Sequence, residues 1–179
     1  LISMSSTDTA QHEQAARFFD EVSGTYKDKY KDRSPFHRYF FNERLEKATQ
    51  GLELGDADVL DIGSGTGELY EHLVARFPGM RFHATDVSAG MLAQSPVPVD
   101  RKYVGHAYQH PFATRKFDAV FMLGVTTYLS PEELEKNLAF IATSLKPGGR
   151  AIITFTNSHA LDSWTRNLAR GPMRWFAGR

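Results

Sequence analysis

Apolar positions in this chain follow two alternating periods from Asp58 onward. Short apolar runs bounded by turn residues alternate with stretches of helical spacing. Asp58–Ile62 reads as the first strand. Leu69, Leu73 and Phe77 form the buried stripe of a helix that Pro78-Gly79 ends. Residues 81–85, closing on Asp86, give a second strand, and residues 89–93 a short helix broken by Pro96 and Pro98. Lys102–Val104 is a brief third strand. Phe117–Met122 is almost wholly apolar, as a strand covered on both faces should be. Ser130-Pro131-Glu132-Glu133 is a capping box that opens a helix carried on by Leu134, Leu138, Ile141 and Leu145. Pro147-Gly148-Gly149 is a turn, and residues 151–155 a fifth strand. Strands alternating with helices predict an α/β fold with a doubly wound, mostly parallel sheet.

The part before Asp56 has no strands. Ala15, Phe18, Phe19 and Val22 share one helical face, which Gly24 interrupts. Ser34-Pro35 starts a second helix carrying Phe36, Tyr39, Phe40 and Leu45. The expected division is a helical cap over 1–56, a ligand-binding core over 57–157 and a helical tail over 158–179, all within one domain. Leu1-Ile2-Ser3 ahead of Met4 reads as a cloning remnant.

Composition narrows the function classes. The 179 residues suffice for one full hydrophobic core. Net charge is +0, with no basic block, so electrostatic attraction to nucleic acid is not expected. No apolar run has the length of a bilayer span, and no signal peptide is evident. The absence of cysteine excludes disulfides, thiolate metal sites and cysteine nucleophiles, and fits a cytoplasmic setting.

The densest chemistry lies in Val59-Leu60-Asp61-Ile62-Gly63-Ser64-Gly65-Thr66-Gly67-Glu68. A strand ending in alternating glycines lets backbone approach a ligand, and the following helix start presents free N–H groups. The plain alternative is a tight loop. The dinucleotide fingerprint Gly-x-Gly-x-x-Gly/Ala would need a small residue where Glu68 stands. Asp86 follows Gly67 by 19 positions, near the roughly 20-residue interval of a ribose-binding carboxylate.

With these residues the chain resembles the class I S-adenosylmethionine-dependent methyltransferases of the small-molecule type, from about Phe18 to Phe155. Val59 to Gly67 is similar to the family's first motif. Ala84-Thr85-Asp86-Val87-Ser88 with Met91-Leu92 is similar to its second. Pro111-Phe112, Phe117-Asp118-Ala119-Val120 and Leu145-Lys146-Pro147-Gly148-Gly149 follow in order. The resemblance implies a Rossmann-like sheet under an N-terminal helical cap, with S-adenosyl-L-methionine as cofactor and S-adenosyl-L-homocysteine as product. It implies that Gly63, Ser64, Gly65 and Gly67 approach the cofactor's methionine and ribose. Asp61 would hold the amino group and Asp86 the ribose hydroxyls. Val87 and Met91 would pack near the adenine, with His106-Ala107 at its edge and Leu123 near the methionine. Tyr26 and Tyr30 would form a lid. His106 stands where the family often has an acid; a protonated imidazole there would weaken binding at acidic pH. The family sheet has seven strands, and five are legible here. Truncation or missing residues is the favoured reading, ahead of a partner that completes the sheet.

Methyl transfer from a sulfonium needs alignment and exclusion of water more than a fixed catalytic group, and no metal. His159 is the first choice as an acceptor base, ahead of His106, His110 and Tyr128. Leu123-Gly124-Val125-Thr126-Thr127-Tyr128-Leu129 lacks the Asn/Asp-Pro-Pro-Tyr/Phe sequence of nucleobase-methylating relatives. A small organic acceptor is therefore expected, with neither nucleic acid nor membrane as partner, and O-methylation is favoured. The other classes kept open are a non-catalytic cofactor- or partner-binding protein of the same fold and a nicotinamide-dependent oxidoreductase.

Overall fold

A computed structural model describes residues 15–26, 35–110, 112 and 116–155, with backbone alone at 35–38 and 40. Five parallel strands form one sheet: β1 (Asp58–Ile62), β2 (Arg81–Asp86), β3 (Lys102–Val104), β4 (Phe117–Met122) and β5 (Leu145–Ile153), in the order β3-β2-β1-β4-β5. Among the described residues five α-helices accompany them: α1 (15–26), α2 (Pro35–Thr49), α3 (Glu68–Val74), α4 (Ala89–Gln94) and α5 (Pro131–Ser144). The strand order reverses between β1 and β4, so the turns after these strands diverge and leave a crevice.

The core lies on both sides of the sheet. Val59, Phe82 and Phe121 pack with Leu69 and Leu73 of α3, while Leu60, Val120 and Met122 pack with Phe140 and Ile141 of α5. Successive strand residues point to opposite faces, so central strands covered on both sides have to be apolar throughout. Asp118 departs from this at the open end of β4. It accepts hydrogen bonds from Asp58 N (2.7 Å) and Lys146 Nζ (2.7 Å). Lys146 also reaches Asp58 Oδ2 (3.0 Å), and Arg81 Nε holds Asp58 Oδ1 (2.7 Å). This ion cluster joins β1, β2, β4 and β5 at the end away from the crevice.

Several helix details differ from the sequence reading. α1 runs through Gly24 to Tyr26, because one exposed glycine costs a helix only about 1 kcal/mol. Phe18 (54 % exposed) and Tyr39 (63 % exposed) lie off the buried faces assigned to them. α3 stops at Val74, and Phe77 packs on the core from the turn beyond it. Leu145 begins β5 instead of ending α5. The Pro147-Gly148-Gly149 turn is a bulge inside β5, where residues 146–149 face Asp118 alone. Gly148 takes φ +80, and a Cβ at Gly149 would sit 2.9 Å from Phe117 O.

The largest difference is the rotation of α5. Its buried face holds Glu133, Asn137, Phe140, Ile141 and Ser144, whereas Leu138 is 38 % exposed. Two polar residues thus occupy positions the apolar pattern gave to leucines. Burying a polar group without a partner costs about 1–3 kcal/mol, so each is expected to have a use. Glu133 closes the capping box: its Oε2 accepts from Ser130 N (2.8 Å), and its own N–H donates to Ser130 Oγ (3.2 Å).

Candidate active site

Local backbone chemistry shapes the crevice. Gly63 N and Ser64 N both donate to Thr85 O (2.8 and 2.9 Å), which hooks the turn after β1 onto β2. Gly63, Gly65 and Gly67 all have positive φ (70°, 57° and 87°), which only glycine adopts without strain. Their surroundings differ. A Cβ on Gly63 would meet Val125 Cγ2 at 2.3 Å, and one on Gly67 would meet Ser95 Oγ at 2.4 Å. The need for glycine at 67 thus comes from packing of the α3 start against the chain after α4.

A cavity of about 300 Å³ opens at the crevice. Its walls include Gly63, Asp86, Val87, Met91, His106, Leu123 and Tyr26, seven of the expected cofactor residues, together with Phe19 of α1. A narrower recess of about 60 Å³ contains Asp61, Ser64 and Glu68, and shares Arg44, Tyr26, Phe41, Gly63 and Leu123 with the cavity. Gly65, Gly67 and Ala107 are not among the lining residues of either; Ala107 is fully buried beside them. Tyr30 and His159 lie outside the described residues.

Two buried carboxylates face this space. Burial pushes the Asp61 pKa up to about 8, and the nearby charges of Asp86 and Glu68 add to this; the Ser64 side chain and Arg44 act in the opposite direction. Burial likewise raises Asp86, against the backbone N–H groups it accepts. Its Oδ2 accepts from Gly65 N (2.8 Å) and its Oδ1 from Ser88 N (2.9 Å), so the carboxylate pins the glycine turn and the start of α4 together. Each oxygen keeps a further lone pair for a ligand hydroxyl.

Arg44 was not singled out in the sequence. Its guanidinium sits over the Phe41 ring (4.8 Å) and against Gly124, where a Cβ would be 2.7 Å from Nη1. Its Nε is buried with no hydrogen-bond partner among the described residues. The available signal was its position on the stripe of Phe41, Leu45 and Ala48, where an exposed arginine is not expected. A half-buried guanidinium beside a buried carboxylate offers both charges that a zwitterion needs.

α1 roofs the cavity. Asp20 Oδ1 accepts from Ser88 Oγ (2.5 Å) and Gly90 N (2.9 Å), which fastens the helix to the start of α4. A Cβ on Gly90 would be 2.8 Å from Ser23 Oγ, so the close docking requires glycine there. At the other side Phe19 packs edge-on against Tyr128 (5.0 Å) in the turn after β4. His106 is buried, stacks on Tyr108 (4.8 Å) and places Nε2 3.8 Å from Glu133 Oε1. The imidazole at position 106 thus has a carboxylate of α5 beside it. His110 points elsewhere, its Nε2 2.8 Å from Val104 O, and is not on the cavity wall. No group of metal-binding side chains occurs among the described residues, and no helix there is long and apolar enough to cross a membrane.

Residues 59–149 match the model of a family described as a methyltransferase domain. A malonyl-[acyl-carrier protein] O-methyltransferase of Marinomonas sp. (strain MWYL1) is 33 % identical over 148 residues, covering 79 % of this chain and 51 % of that protein. An uncharacterized methyltransferase, YdaC, of Bacillus subtilis (strain 168) is 31 % identical over 108 residues, 58 % of each. The chain thus spans about half the length of these curated relatives. Among solved structures, a DhpI complex described as DhpI-SAM-HEP superposes with a TM-score of 0.62 at 20 % identity, covering 92 % of this chain and 73 % of that one. The N-methyltransferase NodS of Bradyrhizobium japonicum WM9, solved with S-adenosyl-L-homocysteine, gives 0.62 at 18 % identity, covering 77 % and 71 %. At these identities the superpositions speak for the fold. Together with the family match, the glycine turn between two buried carboxylates places this chain in the class I S-adenosylmethionine-dependent methyltransferase family.

Proposed function

We propose that this chain transfers a methyl group from S-adenosylmethionine to a small organic acceptor held under α1. The observation that carries the reading is that Arg44 and Asp61 line one recess, and that Arg44 also lines the cavity that holds Asp86. An amino acid zwitterion needs one cation and one anion side by side. A ribose needs a carboxylate farther along. In this reading Asp61 takes the ammonium and Arg44 the carboxylate of the methionine part, with the Leu123 backbone oxygen beside the ammonium. Asp86 accepts both ribose hydroxyls. Val87 and Met91 pack on the adenine, while Ser64 and Gly65 keep the turn shaped around the sugar.

When bound, the cofactor supplies a methyl group on a sulfonium, which is both electrophile and leaving group. The residues here contribute alignment and dryness. Phe19, Tyr26 and Tyr128 line the cavity with aromatic rings, whose faces tolerate a cationic centre. Among the proposed bases, His106 and Tyr128 line the cavity; His159 stays a candidate outside the described residues.

O-methylation remains the favoured chemistry. Two relatives named malonyl-[acyl-carrier protein] O-methyltransferase support it, from Marinomonas and from Magnetococcus marinus. An acceptor screen containing free carboxylic acids, phenols and amines, read by S-adenosylhomocysteine release and by product mass, tests the reading. A product heavier by one methylene equivalent, with the new methyl group on oxygen, supports it. Turnover confined to amines would overturn the O-methyl assignment, and the absence of any turnover would favour a non-catalytic cofactor-binding protein.

A further inference from the structure

The charges on the cavity wall are all accounted for. Among the described residues the wall carries Arg44, Asp86, His106 and Glu133 as its charged or imidazole side chains. Asp86 accepts from Gly65 N and Ser88 N, and in the reading above it holds the ribose. Arg44 shares the recess with Asp61 and there takes the methionine carboxylate. Glu133 Oε2 accepts from Ser130 N, and Glu133 Oε1 lies 3.8 Å from His106 Nε2. No described charge is left over to meet an acceptor. A charged group that leaves water for a site without a counter-charge loses its hydration and gains nothing in return.

What α1 and the turn after β4 present instead is aromatic. Phe19 is the centre of a run of rings: it meets Tyr128 edge-on at 5.0 Å, Tyr26 at 6.3 Å and Phe18 at 5.3 Å. Phe19, Tyr26 and Tyr128 line the cavity, with Val125 and Leu129 beside Tyr128. The run continues to the surface, where Phe18 is 54 % and Tyr128 45 % exposed. Large apolar side chains exposed together beside a cavity mark a binding surface.

Resting on the cofactor reading above, we propose that the methyl acceptor is an uncharged molecule with an apolar body, and that Phe19 and Tyr128 select it. The two rings come from different elements, α1 and the turn after β4, so the acceptor is held between them. A charged molecule of the same shape is rejected through the hydration it must give up. Within the O-methyl reading this favours hydroxyl compounds over free carboxylates.

The test uses three probes that share one ring system and differ in charge: 2-naphthol, 2-naphthoate and 2-naphthylmethylammonium. Each is titrated at pH 7 into protein saturated with S-adenosylhomocysteine and followed by calorimetry. The wild type is expected to bind naphthol at least about tenfold more tightly than either charged probe. Tyr128→Ala and Phe19→Ala are each expected to weaken naphthol about fivefold or more. A wild type that prefers naphthoate or the ammonium, or that binds none of the three, overturns the acceptor class. Naphthol affinity unchanged in both variants overturns the assignment of the two rings. Tyr128→Ala that loses S-adenosylhomocysteine along with naphthol overturns it too, since the ring then serves the cofactor. Failure of the wild type to bind S-adenosylhomocysteine overturns the cofactor reading itself, so the two failures are distinguishable.

Discussion

Asp61 is buried, and its raised pKa has a defined sign. The folded chain keeps a proton up to about pH 8 that the unfolded chain loses near 3.8. Folding stability therefore declines as pH rises through that interval. An ammonium ligand favours the ionised form, so binding releases the proton. Asp61→Asn is expected to match wild-type stability near pH 4 and to exceed it at pH 8, with a melting temperature higher by a few degrees (about 2–4 °C per kcal/mol at this size). Its affinity for S-adenosylhomocysteine should lose the rise between pH 5 and 8 that the wild type shows. Differential scanning fluorimetry and calorimetry across this range check both; a pH-independent wild type would contradict the account. Asp61 and Asp86 were legible because glycines at fixed spacing mark the strand ends they occupy. Arg44 and Asn137 were not. A charged or amide side chain on a helix reads as solvent-facing until tertiary packing shows that its face is buried.

Asp20 ties α1 to the start of α4 through the hydrogen bonds it accepts from Ser88 and Gly90. The bonds from Ser88 and Gly90 hold its carboxyl below the usual carboxylate range. Asp20→Ala should leave the sheet intact and loosen the lid. Hydrogen exchange of residues 15–26 is expected to accelerate severalfold, and cofactor dissociation with it, while exchange in β1 and β4 stays unchanged. Unaltered exchange in α1 would show that Phe19 and Tyr26 suffice to hold it. The first four strands were readable, since apolar runs between turn residues have few other uses; the fifth was read as 151–155 and runs Leu145–Ile153, because the turn signal of Pro147-Gly148-Gly149 belongs to a bulge within it. Helix faces were read less well: Leu138 and Phe18 carry an apolar signal yet face solvent. The cavity, which lets α5 present Glu133 and Asn137 inward, leaves no trace in hydrophobic periodicity.

Across the molecule, the two ends of the sheet are built differently. The crevice end holds carboxylates above their ordinary range. The opposite end ties four strands with Asp58, Asp118, Arg81 and Lys146, where hydrogen bonds and charge from Arg81 and Lys146 hold Asp58 far below its ordinary range and Lys146 lowers Asp118. Carboxylates with depressed folded pKa values stabilise above the unfolded value of 3.8 and lose that contribution as pH falls below it. Melting temperature should drop steeply below about pH 4, and Lys146→Ala should flatten the drop; thermal melts between pH 2.5 and 6 measure it. A variant with an unchanged acid limb would assign the acid sensitivity elsewhere.

The cofactor assignment joins the two carboxylates, the guanidinium and the family match. Titration calorimetry of the chain with S-adenosylhomocysteine, alongside NAD and the Asp86→Ala variant, addresses it at once. The account predicts saturable binding of S-adenosylhomocysteine, no binding of NAD, and affinity at least tenfold weaker in Asp86→Ala, about 1.4 kcal/mol. Saturable NAD binding, or an Asp86→Ala variant that is folded and binds S-adenosylhomocysteine as tightly as the wild type, would contradict it.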